Sequence, residues 1–176
     1  MIYSGKFKVT SIFGKRTLNG KTEMHKGIDV VGLTGKHICA VAPGVVRAST
    51  IITDKTNPTW QWGHYVRVDG DDGHRYYYCH MKERLVSVGR RVDIGDHLGV
   101  EGNTGYSFGS HCHFEVRDAA GNSVNPAPFL GIENRTGTYG DDYRAAVKKK
   151  YGFAEQTMAY LEGYQYAADL YRKLAK

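Results

Sequence analysis

The stretch Asp69-Gly70-Asp71-Asp72-Gly73, set between runs 65–68 and 75–80, narrows the fold more than any other part of the chain. Glycine beside aspartate between two short runs rich in aromatic and β-branched residues is a hairpin signal, because tight turns need backbone conformations those residues tolerate. The punctuation recurs: Pro43-Gly44 separates 37–42 from 45–52, Gly89 follows 85–88, Gly95-Asp96 precedes 97–101, and 118–122 reads as a turn. Residues 3–13 read as a first strand, 14–23 as a polar loop, 28–31 as a buried strand and 54–59 as a loop. With 22 glycines and only 4 prolines in 176 residues, many tight turns are available. These runs predict a mainly β protein, an antiparallel β sandwich or split barrel.

The next constraint is chemical. In 111–116 polar and apolar residues alternate, so His111, His113 and Glu115 share one face of a strand and Cys112, Phe114 and Val116 the other. The two histidines are then about 7 Å apart at Cα, close enough to serve one metal. Far upstream lies His25-Lys26-Gly27-Ile28-Asp29. Gly27 and the β-branched residues after it argue against a helix. In a flat strand His25 and Asp29 would stand about 13 Å apart, so joint binding of one ion requires a bend, which Gly27 permits. His25, Asp29 and one histidine of the pair make three ligands, and three leave a position for water, the catalytic zinc pattern.

Other segments join these two. Phe13-Gly14-Lys15-Arg16, Trp62-Gly63-His64-Tyr65-Val66, Tyr78-Cys79-His80-Met81, the run from Gly105 to Val116 and Val124-Asn125-Pro126 follow in order. Together they resemble the lysostaphin-type, LytM-like zinc metallopeptidases, which cut peptides in bacterial cell walls. The resemblance covers about residues 7 to 130. It implies one Zn²⁺ per chain on His25, Asp29 and His113, and a catalytic pair of His80 and His111. It implies stem or bridge peptides of peptidoglycan as substrate, with action at the cell wall, extracellular or virion-associated. Cys112 and Met81 stand where leucine is usual, which preserves packing. His64 stands where asparagine is usual and, with Tyr106 in the loop before the pair, is a candidate for the substrate groove. Ser110 and Phe108 alter that loop. The competing reading is a non-catalytic wall-binding or structural module of the same fold, for example in a phage tail; the filled ligand set favours the enzyme.

The formal net charge of +6 favours an anionic partner. No nucleic-acid motif and no basic cluster interleaved with aromatics is present, so the cell wall is preferred over nucleic acid. Cys39, Cys79 and Cys112 have no disulfide spacing. A cysteine-protease reading, with Cys112 as nucleophile and His80 as base, fails because alternation turns Cys112 away from its neighbouring histidines. His37, His74 and His97 read as solvent-facing or hydrogen-bonded histidines without a ligand role. No run approaches the roughly 20 apolar residues of a membrane span. Residues 1–20 lack the apolar stretch of roughly 7–15 residues of a signal peptide. The expectation is a piece of a longer exported protein, or release from the cytoplasm as with phage-borne enzymes.

After residue 130 the character changes. Residues 131–140 read as a linker, Asp141-Asp142 as a helix cap, and Tyr143, Val147 and Tyr151 as a helical stripe ended by Gly152. A second helix is expected over 153–174, with Leu161, Tyr164, Ala168 and Tyr171 on one face. The division is a peptidase domain 1–130, a linker 131–140 and a helical hairpin 141–176. The hairpin is expected to dock on the β domain, a second copy or a larger assembly.

Overall fold

Alternating apolar residues between glycine turns become short antiparallel strands in the computed structural model, which describes residues 1–18, 20–57, 60–140, 143–162 and 167–175. The strands are β1 (Phe7–Ser11), β2 (Gly14–Leu18), β3 (Lys21–His25), β4 (Ile28–Gly32), β5 (His37–Cys39), β6 (Gly44–Thr50), β7 (His64–Gly70), β8 (Arg75–Met81), β9 (Glu83–Arg84), β10 (Arg91–Val92), β11 (His97–Val100), β12 (Cys112–Arg117), β13 (Ser123–Val124) and β14 (Gly137–Tyr139). The main sheet runs β10-β6-β7-β8-β12-β4-β1-β14, with β13 on β12, and does not close into a barrel. A smaller sheet runs β5-β11-β9, and β2 pairs with β3 alone.

The core lies between the main sheet and the smaller one. Val30, Val66, Val68, Tyr76, Tyr78, Phe114 and Val116 meet Ile38, Ala40, Met81, Val86 and Leu98. Full burial of such side chains contributes about 1.5–3 kcal/mol each. The Tyr78 hydroxyl accepts the Val41 N–H at 3.0 Å, so burying its polar end leaves that group paired. This core makes the outer face of β4, β8 and β12 a rigid floor.

Three expectations change. Residues 14–23 are not a loop but most of the β2–β3 hairpin; its side chains are largely exposed, so burial left no periodic trace. The stretch 131–140 carries β14, which pairs with β1, and Tyr139 stacks on Phe7 at 5.9 Å between ring centroids. Asn134 exchanges two hydrogen bonds with the Phe13 backbone, at 3.1 and 3.0 Å. Beyond it the described residues form three helices rather than two: α1 (Tyr143–Tyr151), α2 (Glu155–Glu162) and α3 (Ala167–Ala175). Val147, Met158 and Tyr171 make a small buried cluster of their own, and Tyr171 donates its hydroxyl to Met158 O at 2.8 Å. Asp141, Asp142, Tyr164 and the side chain of Ala168 lie outside what the structure describes. No helix among the described residues is long and apolar enough to cross a membrane.

Candidate metal centre

Strand pairing brings the first two candidate ligands together. His113 on β12 stands directly opposite Asp29 on β4, and cross-strand partners on one face are nearest neighbours. His25 ends β3 and turns in through Lys26-Gly27. Gly27 is required by close approach: a Cβ there would lie 2.5 Å from Phe114 O and 2.7 Å from the His113 ring. His25 Nε2, Asp29 Oδ1 and His113 Nδ1 are 3.0 to 3.2 Å apart.

That spacing fits a zinc ion. Tetrahedral donors at zinc bonding distance stand about 3.4 Å from one another. The groups behind the donors fit as well. His25 gives its Nδ1–H to Ile12 O at 2.7 Å, leaving Nε2 as a lone pair. His113 Nε2 lies 3.6 Å from Glu115 Oε2, and Arg16 holds the other Asp29 oxygen at 3.1 Å. Glu115 is itself buried and held by Arg117 at 2.7 Å and Ser123 at 2.8 Å. The charge pattern favours a cation. Burial raises the Asp29 pKa, but the His113 and His25 imidazoles set against the carboxyl outweigh it and hold it well below the usual range. Burial lowers the His113 pKa, and its bonds to Asp29 and Glu115 outweigh that and lift it to about 9.

The second pair of imidazoles stands beside this triad. Alternation along β8 would put His80 on the face of Tyr76 and Tyr78, in the core. The structure turns it into the groove instead. His80 is the one non-glycine with positive φ among the described residues, at 63°, and the β7–β8 register shifts between His64 and Val66. An isolated left-handed residue stores strain of order 1 kcal/mol, and such outliers gather at functional sites. The ring is held there by its Nδ1–H, donated to Thr104 O at 2.7 Å. Burial, with His111 and His113 nearby, depresses its pKa to about 4. His111 lies 4.7 Å from His80 between ring centroids, gives its Nδ1–H to Gly109 O at 2.8 Å, and has Nε2 3.6 Å from Asp29 Oδ1.

These five residues line one groove of about 460 Å³, with Arg16, Trp62, Tyr106 and Phe108 on its walls. Tyr106 and Phe108 are exposed and touch edge to face at 5.1 Å. His64 is not among the lining residues; its backbone N–H, rather than its imidazole, is used, donating to Thr104 Oγ1 at 3.0 Å. Cys79 and Cys112 are fully buried, with burial pushing both thiols up, so no thiolate faces the groove. His97 is buried rather than solvent-facing and stacks on His37 at 4.6 Å, away from the groove. Arg16, Thr104 and Glu115 were not picked out as site residues from sequence. Arg16 sits in the hairpin read as a loop, and Glu115 was visible only as a third polar residue on the face of the two histidines.

Comparison with known proteins agrees with this geometry. The sequence model of peptidase family M23 matches residues 23–126. The chain is 34% identical over 111 residues to the peptidoglycan DD-endopeptidase ShyC of Vibrio cholerae, covering 61% of this chain and 24% of that protein. It is 30% identical over 122 residues to lysostaphin of Staphylococcus simulans, covering 67% of this chain and 24% of the relative. The chain thus spans about a quarter of the length of these relatives. Among solved structures, a mutant catalytic domain of the prophage-encoded M23 protein EnpA from Enterococcus faecalis superposes with a TM-score of 0.57 at 32% identity, over 68% of this chain and 88% of that one. The lysostaphin catalytic domain superposes with a TM-score of 0.57 at 27% identity, over 70% and 91%.

Proposed function

Because the chain belongs to peptidase family M23, we propose that it is a zinc-dependent endopeptidase hydrolysing peptide crosslinks of bacterial peptidoglycan. One observation carries this: three donors at zinc-ligand spacing and two further imidazoles share a single open groove. His25, Asp29 and His113 would hold one Zn²⁺ per chain. When bound, the ion polarises the scissile carbonyl and brings the pKa of a water from ~15.7 to ~7.

The remaining chemistry belongs to side chains. A carbonyl oxygen only accepts, so His80 and His111 both carry their proton on Nδ1 and present Nε2 to the groove. A neutral Nε2 takes a proton from the attacking water; a protonated one donates to the departing amine. Imidazoles suit general acid–base work, and the depressed pKa of His80 keeps that ring neutral, as a proton acceptor, near neutral pH. Arg16 offsets charge on Asp29 without occupying the donor atom that faces the ion. Tyr106 and Phe108 offer a flat apolar rim for substrate. A non-catalytic module would have no use for five such side chains held together.

Peptidoglycan as substrate is read across from the relatives, and action at the cell wall, from outside the cell or from a virion, is proposed with it. We further propose that 1–130 form the peptidase domain, 131–140 a connection held to it by β14 on β1, and 141–176 an appendage. The test is to digest purified walls with oligoglycine bridges and walls with direct crosslinks, and to read the new termini by mass spectrometry. New peptide termini from one wall type support the reading; intact peptides in both sink it.

A further inference from the structure

Glu101 follows β11 and has a side chain with no exposed surface. A buried carboxylate is tolerated only when its oxygens are bonded. Here both are. Oε2 accepts from the Tyr3 hydroxyl and the Gly32 N–H, each at 2.7 Å. Oε1 accepts from Lys36 Nζ and the Ser110 hydroxyl, each at 2.7 Å. Burial raises its pKa, and these donors outweigh that and lower it, so the group is a carboxylate near neutral pH.

The partners on its two oxygens belong to different parts of the site. Gly32 ends β4, the strand that carries Asp29. Ser110 immediately precedes His111 in the exposed loop that leads into β12. One rigid group therefore ties the loop to the strand. The residues after it continue the connection. Gly102 O accepts the His111 N–H at 3.0 Å. A Cβ on Gly102 would lie 2.3 Å from Lys82 N and 2.8 Å from His80 O, so the chain runs flush against the His80 backbone. Thr104 O then holds His80 Nδ1, and Thr104 Oγ1 donates to Met81 O at 2.8 Å.

We propose that Glu101 is a positioning residue for the reaction proposed above: through Ser110 it sets His111 relative to the Asp29 strand, and with Gly102 and Thr104 it makes 101–104 one brace for both histidines. His111 lies one residue outside β12, and His80, though within β8, sits at a left-handed backbone position, so their separation depends on this brace more than on the ladder. The inference rests on the peptidase reading of the groove for its kinetic consequence and on geometry alone for the placement of His111.

The experiment uses the full zinc-loaded chain with Ser110→Ala, Ser110→Thr and Glu101→Gln. It reads zinc per chain, melting temperature, kcat and KM on a short crosslink peptide, and the side-chain ¹H–¹⁵N signals of the histidines. Ser110→Ala removes the link to the loop while leaving Tyr3, Gly32 and Lys36 on the carboxylate. Its zinc content and KM should match the parent, its kcat should fall about tenfold or more, and the His111 signals should shift while those of His25 and His113 stay in place. Ser110→Thr keeps the hydroxyl and should restore both kcat and the signal. Glu101→Gln should show the same kinetic split with a lower melting temperature. Parent kcat with unmoved His111 signals in Ser110→Ala would overturn the proposal, as would a loss of rate that follows zinc loss or a raised KM. If the parent itself cuts no peptide, the peptidase reading fails, and the His111 signals alone decide the positioning claim.

Discussion

The proposed zinc ligands and the histidine pair occupy one groove, yet the fold places them by different means. His113 and Asp29 are cross-strand partners in the middle of the main sheet, fixed by the β4–β12 ladder. His80 sits at a left-handed backbone position and His111 one residue outside β12, and each is oriented by a few local hydrogen bonds. A ladder spreads positional control over many backbone bonds, whereas an irregular site concentrates it in a few. Metal binding and proton transfer should therefore be separable by mutation.

The largest effect should come from the ladder side. Asp29→Ala or His113→Ala should drop zinc from one ion per chain to near none and bring peptide hydrolysis to background. Elemental analysis finding full zinc in both variants would break the ligand assignment. Next come His80→Ala and His111→Ala, which should keep zinc but lose about 10²–10⁴ in kcat. A variant that loses the metal instead moves that histidine into the ligand set.

A third change attacks the packing behind the ligands. Gly27→Ala drives a Cβ into Phe114 O and the His113 ring. By displacing a ligand it should weaken zinc affinity by about 10–100-fold, as changes behind metal ligands do. Competition with a coloured chelator measures this; parental affinity would mean that the His25 turn has room the structure does not show. The smallest effect concerns the C-terminus. A chain ending at Gly140 should keep zinc and cut short peptides as the parent does, because the helices have their own buried cluster. A chain ending at Gly131 should melt lower, having lost β14 and the Asn134 bonds to Phe13 beside the Ile12 carbonyl that holds His25. Equal melting temperatures for the two would show that 131–140 is a linker after all.

What could be read beforehand divides along the same line. Triad residues lie on strands whose alternation and spacing are visible as letters, and the Asp-Gly turn gave the β7–β8 hairpin. The orientation of His80 is not visible in the same way, because alternation assumes regular backbone and a positive φ at a non-glycine leaves no sign in sequence. The β2–β3 hairpin has few buried positions, so no periodic pattern marks it, and the dipeptide Asn19-Gly20 is the sign of a turn that the sequence offers; Asn19 lies outside the described residues. β14 is three residues long, too short for periodicity, and exists because β1 offers it an edge. Glu101 looked like a strand end; only the tertiary fold shows that four donors converge on it.

Zinc titration into the chelator-treated chain, with uptake and hydrolysis of a short crosslink peptide followed together, tests the central claim most directly. In the parent both should rise in proportion and level off at one equivalent, while His80→Ala should take up the same equivalent with hydrolysis near background. Hydrolysis without zinc, or parental turnover in zinc-loaded His80→Ala, would contradict the division of the groove into a metal triad and a catalytic pair.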